Sequence, residues 1–199
     1  MAAKLTPIDI QRLAYSRYLY DEGVMYSLRP APLSSTAVLS FHDAVENFLG
    51  LAAQFLGVEV SPKIQFIEYW GQLKPTVLPV RGAMNTLNNV RVALKHHGVF
   101  PSSQTVEQSR ANVLNFFTLA TPVVFGIDFD AINMTGLVTQ AETAQLLRDA
   151  QTHADVGDYV HAMAGLRLAM EALLRRYARP QDLNYIDSPF AFGPRIDHH

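Results

Sequence analysis

The chain contains no cysteine among its 199 residues. That excludes a disulfide scaffold, a thiolate zinc site and a cysteine nucleophile. Charge is also sparse. Asp, Glu, Lys and Arg make up 17% of the residues and the formal net charge is −2. This balance argues against a protein that coats nucleic acid by bulk charge. Long apolar runs are missing too. The stretches around 48–58 and 119–127 are interrupted and fall well short of the ~20 residues that span a bilayer. The start, Met1-Ala2-Ala3-Lys4-Leu5-Thr6-Pro7, lacks the apolar core of a signal peptide, so the expectation is a soluble cytoplasmic protein. No Gly-x-Gly-x-x-Gly, Walker-type lysine loop or Gly-x-Ser-x-Gly occurs, which leaves dinucleotide, P-loop and serine-hydrolase chemistry without a motif.

What is present is a helical hydrophobic period along almost the whole chain. At this length one domain, or one domain with an appended element, is expected. Thr6, Pro7 and Asp9 read as an N-cap, an N1 proline and a capping-box acid. The helix they open carries Ile10, Leu13, Ala14, Arg17 and Tyr18 and is expected to fade near Gly23. After the proline loop 29–33, Ser34 or Ser35 is expected to cap a strong helix with Val38, Phe41, Ala44, Val45, Phe48, Leu51, Ala52, Phe55 and Leu56 as its apolar positions, stopped by Gly57. Ser61-Pro62 is expected to start a shorter third helix. A fourth should run from about Gly82 to His97, burying Ala83, Leu87, Val90 and Leu94, with Gly98 as its stop. A fifth should cover about 103–119, followed by an extended connection over 123–129. Two more helices, about 137–154 and 159–177, would be hinged at 155–158.

Charge is uneven. Residues 1–100 hold nine Lys/Arg and seven Asp/Glu, a balance of +2; residues 101–199 hold seven and eleven, a balance of −4. Between Glu68 and Glu107 there is no acid at all, yet that stretch carries Lys74, Arg81, Arg91, Lys95, His96 and His97. A cationic block without counter-charges suits an anion or phosphate; a solvated basic helix is the plainer explanation on charge alone.

The densest functional side chains lie in Asn88-Asn89-Val90-Arg91-Val92-Ala93-Leu94-Lys95-His96-His97-Gly98. At 100° per residue, Asn85, Asn89, Val92 and His96 share one face, and Arg91 and His96 stand about 140° apart. On a straight helix these two are therefore expected not to touch. Chemically they complement one another. Arginine offers a planar fork for phosphate, and a histidine exchanges a proton near neutral pH. Together they suffice for metal-independent RNA cleavage. The plainer alternative is a surface arginine with two helix-terminal histidines that complement the helix dipole.

An all-helical chain with Arg91, four intervening residues and His96 near a helix end resembles the HEPN superfamily (higher eukaryotes and prokaryotes nucleotide-binding), whose motif is Arg, four to six residues, then His. Arg91 to His97 fits the five-residue form. The resemblance covers roughly residues 5–120. It implies a four- or five-helix bundle. With the pattern of the remaining residues, the expected fold is all-α: a HEPN-like up-down helical bundle over 1–122, a connection and C-terminal helical hairpin packed on it over 123–180, and a loop-like tail over 181–199. It implies a homodimer in which two motifs face each other across a cleft. It implies a metal-independent endoribonuclease of a toxin or antiphage defence system, with Arg91 and His96 catalytic and Asn89, Lys95, His97 and Arg81 supporting or binding RNA. RNA, a second copy and an antitoxin or defence-system protein are the partners this brings into view; no cofactor, metal or membrane enters. In active members the residue after the arginine is commonly polar, and here it is Val92. The alternative is a non-catalytic HEPN-like module for dimerisation or partner docking.

Other constellations are weaker. His153 and His161, with Asp149, Asp155 and Asp158 near them, lack a helical ligand spacing and are expected to be solvated around a turn. His42 and Glu46 are i,i+4, as in a helical ion pair. Arg175, Arg176 and Arg179 cluster at a helix C-terminus, where the dipole accounts for them. Tyr15, Tyr18, Tyr20, Tyr26 and Trp70 are expected in core and rim rather than on a base-stacking platform. His198-His199 carry no assigned role.

Overall fold

In the computed structural model, residues 5–178 are described, with side chains through Arg175. The tail expected over 181–199, with Arg176, Arg179 and His198-His199, lies outside these bounds or beyond the described side chains. The protein is all-α. Its helices are α1 (Pro7–Ser27), α2 (Ala37–Phe55), α3 (Tyr69–Gln72), α4 (Arg81–His97), α5 (Ser103–Phe125), α6 (Ala141–Asp155) and α7 (Tyr159–Ala178), and no strand occurs among the described residues. None of these helices is long and apolar enough to cross a membrane. The chain divides into two compact units, Met1–Leu137 and Val138–His199. Residue 122, where the sequence suggested a boundary, falls inside α5.

α1 begins as its sequence dictates. Thr6 Oγ1 accepts from the Asp9 amide at 3.3 Å, and Asp9 Oδ2 accepts from the Thr6 amide at 2.9 Å, so two orphan donors are satisfied reciprocally. The helix does not fade at Gly23. It runs on to Ser27, and Gly23 is the point where α1 presses on α2: a Cβ there would lie 2.5 Å from the Phe41 ring. Arg12 donates to Gln54 farther along the same pair of helices. Residues 12 with 54 and 23 with 41 set α1 and α2 antiparallel. The face α1 buries is Leu13, Ala14, Ser16 and Tyr20, while Ile10 and Tyr18 stay exposed.

Neither Ser34 nor Ser35 caps α2. A 3-10 turn over Leu33–Thr36 feeds directly into the helix, and both serines are buried. α2 is the central helix. Val38, Phe41, Val45, Phe48, Leu49 and Leu51 are fully buried along it. Phe48 meets Phe116, Phe117 and Phe125 edge-on at 5.2–5.5 Å between centroids, the geometry the ring quadrupole favours. Those three rings come from α5, which explains a second departure from expectation. α5 does not stop at Leu119; it continues through Pro122 to Phe125. A mid-helix proline costs roughly 3 kcal/mol. Burying Val124, and Phe125 between Phe48 and Phe55, offsets that by about 1.5–3 kcal/mol per large side chain.

The third helix starts later than Ser61. A 3-10 turn over Phe66–Glu68 leads into the single turn of α3. Trp70 from α3 donates Nε1–H to the Pro79 carbonyl at 2.8 Å, just before α4 begins. Val80, the residue preceding α4, has φ +47°, a conformation a β-branched residue adopts only when its surroundings force it. α4 is thus aimed by a tethered, strained entry. Beyond α5, Arg17 Nη1 donates to the carbonyls of Phe129, Asp130 and Ile132 at 2.9–3.1 Å, binding that irregular segment to α1.

The second unit is a helical hairpin of α6 and α7. Among the described residues its buried apolar side chains are Ala144, Ala150, Ala162, Ala169 and Ala172. Small side chains let the helices approach closely, to the point that a Cβ on Gly165 would lie 2.8 Å from that of Ala150.

Candidate functional site

α4 carries the acid-free cationic segment, and the core decides which of its faces is free. The expected buried stripe of Ala83, Leu87, Val90 and Leu94 is rotated. Met84 and Leu87 are fully buried, whereas Ala83, Val90 and Leu94 are half-buried. The rotation brings Asn88 inward. Its Oδ1 lies 3.2 Å from Nε2 of His42, which is 2% exposed and stacked on Phe66 at 4.3 Å. A hydrophobicity pattern treats Asn88 as outward; only the polar partner across from it reverses that. The amide oxygen can only accept, so His42 donates to it from Nε2. Nδ1 is buried and without a hydrogen-bond partner among the described residues. Asp43 Oδ1 and Glu46 Oε2 stand 3.7 and 3.9 Å from it. The contact between buried His42 and half-buried Asn88 is what sequence reasoning missed, although His42 with Glu46 was visible as a helical pair.

One turn along from Asn88, Arg91 is half-buried. The same rotation leaves Val92 half-buried instead of on the open face. Asn89, Lys95, His96 and His97 are exposed. The helix keeps its form to the end: Gly98 sits at φ +66°, and the amides of Gly98 and Val99 donate to the carbonyls of Leu94 and Ala93 at 3.2 and 3.1 Å. On this unfrayed helix Arg91 Nη1 nevertheless lies 3.4 Å from His96 Nε2. The expectation that they would not touch is corrected. It weighed the angle between their Cα–Cβ directions and ignored the length of an arginine side chain, which spans the intervening arc. A guanidinium only donates, so in this contact Nε2 of His96 is the acceptor.

The last turn of α4 therefore gathers Arg91, Lys95, His96 and His97, three of them in the final turn where a positive charge complements the helix C-terminus. Asn89 shares the side of His96, two turns back. Arg81 is not brought to this cluster. It opens α4, and fifteen residues at 1.5 Å rise put it about 22 Å from His96 along the axis. Chemically the cluster can hold an anionic oxygen on the arginine and move a proton at the adjacent imidazole. No acidic side chain pairs with Arg91 within salt-bridge distance among the described residues, so its charge is available to a ligand. Compared with known proteins, the chain matches no family model, no curated protein and no solved structure.

Proposed function

We propose that the last turn of α4 is the phosphate-facing site of a metal-independent endoribonuclease of HEPN type, working in the cytoplasm as a homodimer in a toxin or antiphage defence setting. The observation that carries this reading is the 3.4 Å approach of Arg91 Nη1 to His96 Nε2 on an exposed, acid-free helix end. The all-α fold and the Arg-x4-His spacing support it. The reaction needs a base for a ribose 2′-OH, an acid for the departing 5′ oxygen and a cation for the charge that builds on phosphorus. As the Arg91 guanidinium turns from His96 to the phosphate, the Nε2 lone pair is released to take the 2′-OH proton. The attack closes a 2′,3′-cyclic phosphate and breaks the P–O5′ bond. Arg91 stabilises the pentavalent charge. In a dimer, the two copies of His96 divide the two proton transfers. Lys95, His97 and Asn89 flank the scissile phosphate and contact neighbouring backbone, while Arg81 binds RNA beyond the cleaved step. An antitoxin or defence-system protein is the partner class this setting calls for.

The test is incubation of the chain with single-stranded and structured RNA in EDTA. Cleavage should leave cyclic-phosphate ends, and His96→Ala and Arg91→Ala should each lower the rate by at least about a hundredfold, the scale of general acid–base and oxyanion effects. Absence of cleavage across RNA types, or cleavage indifferent to both substitutions, overturns the reading.

A further inference from the structure

The turn between α6 and α7 gathers three metal-ligating side chains that the α4 site does not use. Their spacing, His153-x4-Asp158-x2-His161, belongs to no regular helix face, which is why the sequence alone left them as solvated residues. The backbone of the turn brings them together. Gly157 takes φ +80°, a conformation that favours glycine. The Gly157 amide then bonds back to the Ala154 carbonyl at 3.0 Å, and the Asp158 amide to the His153 carbonyl at 2.9 Å. On the far side, the Ala162 amide donates to the Asp158 carbonyl at 3.0 Å, and the His161 amide to Asp158 Oδ1 at 3.3 Å. Asp158 is thus tied to the end of α6 and the start of α7 at once.

The side chains follow. His153 Nδ1 lies 3.1 Å from Asp158 Oδ2, and His161 Nδ1 lies 2.8 Å from the same oxygen and 2.9 Å from Oδ1. The two imidazoles stack at 5.2 Å with 27° between their planes. One donor atom from each residue falls within 4.8 Å of the others. We propose that this turn is a binding site for a zinc-class divalent ion, with His153 Nδ1, His161 Nδ1 and an Asp158 carboxylate oxygen as ligands. Four ligands about 2.0–2.1 Å from tetrahedral zinc lie about 3.3 Å from one another. The separations of 2.8–3.1 Å between the carboxylate and each ring need only a few tenths of an ångström of opening to match.

The donor set selects the metal. Two imidazoles and a carboxylate suit zinc and its transition-metal neighbours, whereas magnesium and calcium prefer oxygen throughout. Coordination through Nδ1 places each ring N–H on Nε2, and both histidines are exposed, so water satisfies those donors. Three protein ligands leave a fourth position to water. The ion would clip the end of α6 to the start of α7.

The experiment uses the full chain carrying His198→Ala and His199→Ala, stripped with EDTA and dialysed, then titrated with Zn²⁺ by calorimetry and by thermal melting. One ion per chain in the micromolar range and a raised melting temperature are expected, because a ligand of the folded state stabilises it. His153→Ala and His161→Ala should each weaken binding by at least about tenfold, more than the loss of an outer-shell partner does at its mildest. His153 takes no part in capping α7, so its substitution reads the ligand alone; unchanged helix content by circular dichroism confirms this. His96→Ala/His97→Ala should bind as the parent does. No saturable Zn²⁺ binding, or binding that survives both His153→Ala and His161→Ala, overturns the proposal. The α4 reading shares none of these residues, so either can fail alone.

Discussion

At the residue scale, Gly23 and Gly50 make opposite predictions from the same substitution. Both lie inside helices and both have ordinary helical backbone. Glycine in a helix interior costs about 1 kcal/mol relative to alanine, so propensity alone favours alanine at both. At Gly50 nothing lies within 4 Å of a new Cβ, whereas at Gly23 the Cβ would meet the fully buried Phe41 ring at 2.5 Å. That ring also packs against Tyr20 at 5.8 Å and is wholly buried, so its displacement must disturb the core. Gly50→Ala should therefore stabilise by up to about 1 kcal/mol. Gly23→Ala should destabilise by about 1–3 kcal/mol, the usual range for overpacking a core. Urea unfolding of both variants checks the pair; equal signs would mean that α1 and α2 can separate at Gly23 at little cost.

At the element scale, the helix ends that a few neighbouring residues specify were legible in the sequence, whereas ends set by distant contacts, and helix faces, were not. The Thr6-Pro7-Asp9 start, the Gly57 stop and the Gly98 stop are local chemistry: a cap or a left-handed residue is specified by a few neighbours. The continuation of α5 through Pro122 depends on Phe48 and Phe55, more than sixty residues away. The rotation of α4 depends on His42, forty-six residues from Asn88. No period within one helix encodes those contacts. The candidate site shared this fate. Its residues were visible as a motif, but the Arg91–His96 approach depends on side-chain reach. The α1 start also carries a pH dependence. Thr6 Oγ1 donates to Asp9 at 2.6 Å, and this bond, followed by the Thr6 amide, holds the Asp9 carboxyl below its ordinary range. A native pKa below the unfolded one gives stability that is present above the unfolded value, near 3.9, and is lost as pH falls through the native value. Asp9→Asn should cost about 1 kcal/mol at pH 7, a typical cap contribution. The gap to the parent should shrink progressively below about pH 4. A gap that stays constant down to pH 2 would assign the effect to something other than the ionised carboxylate.

At the scale of the whole molecule, the two units differ in what holds them. The core that runs from Leu13 to Ile132 lies entirely within the first unit and includes five fully or nearly buried phenylalanines on α2 and α5, namely Phe41, Phe48, Phe116, Phe117 and Phe125. Among the described residues, the apolar side chains the hairpin buries are five alanines, while Tyr159, Val160, Met163 and Met170 are exposed. Apolar burial scales with area at about 25 cal/mol per Å², so a methyl seam contributes a small fraction of what those rings do. Isolated helices of fifteen to twenty residues are themselves marginal in water. The first unit should therefore carry most of the cooperative stability. A chain ending at Leu137 should keep a single cooperative thermal transition, with a melting temperature within about 5 °C of the parent, the shift expected for a loss of about 1 kcal/mol. In native-state hydrogen exchange of the full chain, amides of α6 and α7 should exchange through lower-energy openings than those of α2 and α5. Loss of the cooperative transition on truncation would show that the hairpin completes the fold of the first unit. Addition of Zn²⁺ sharpens the comparison, because an ion clipping His153, Asp158 and His161 should slow exchange in α6 and α7 and leave α2 and α5 unchanged.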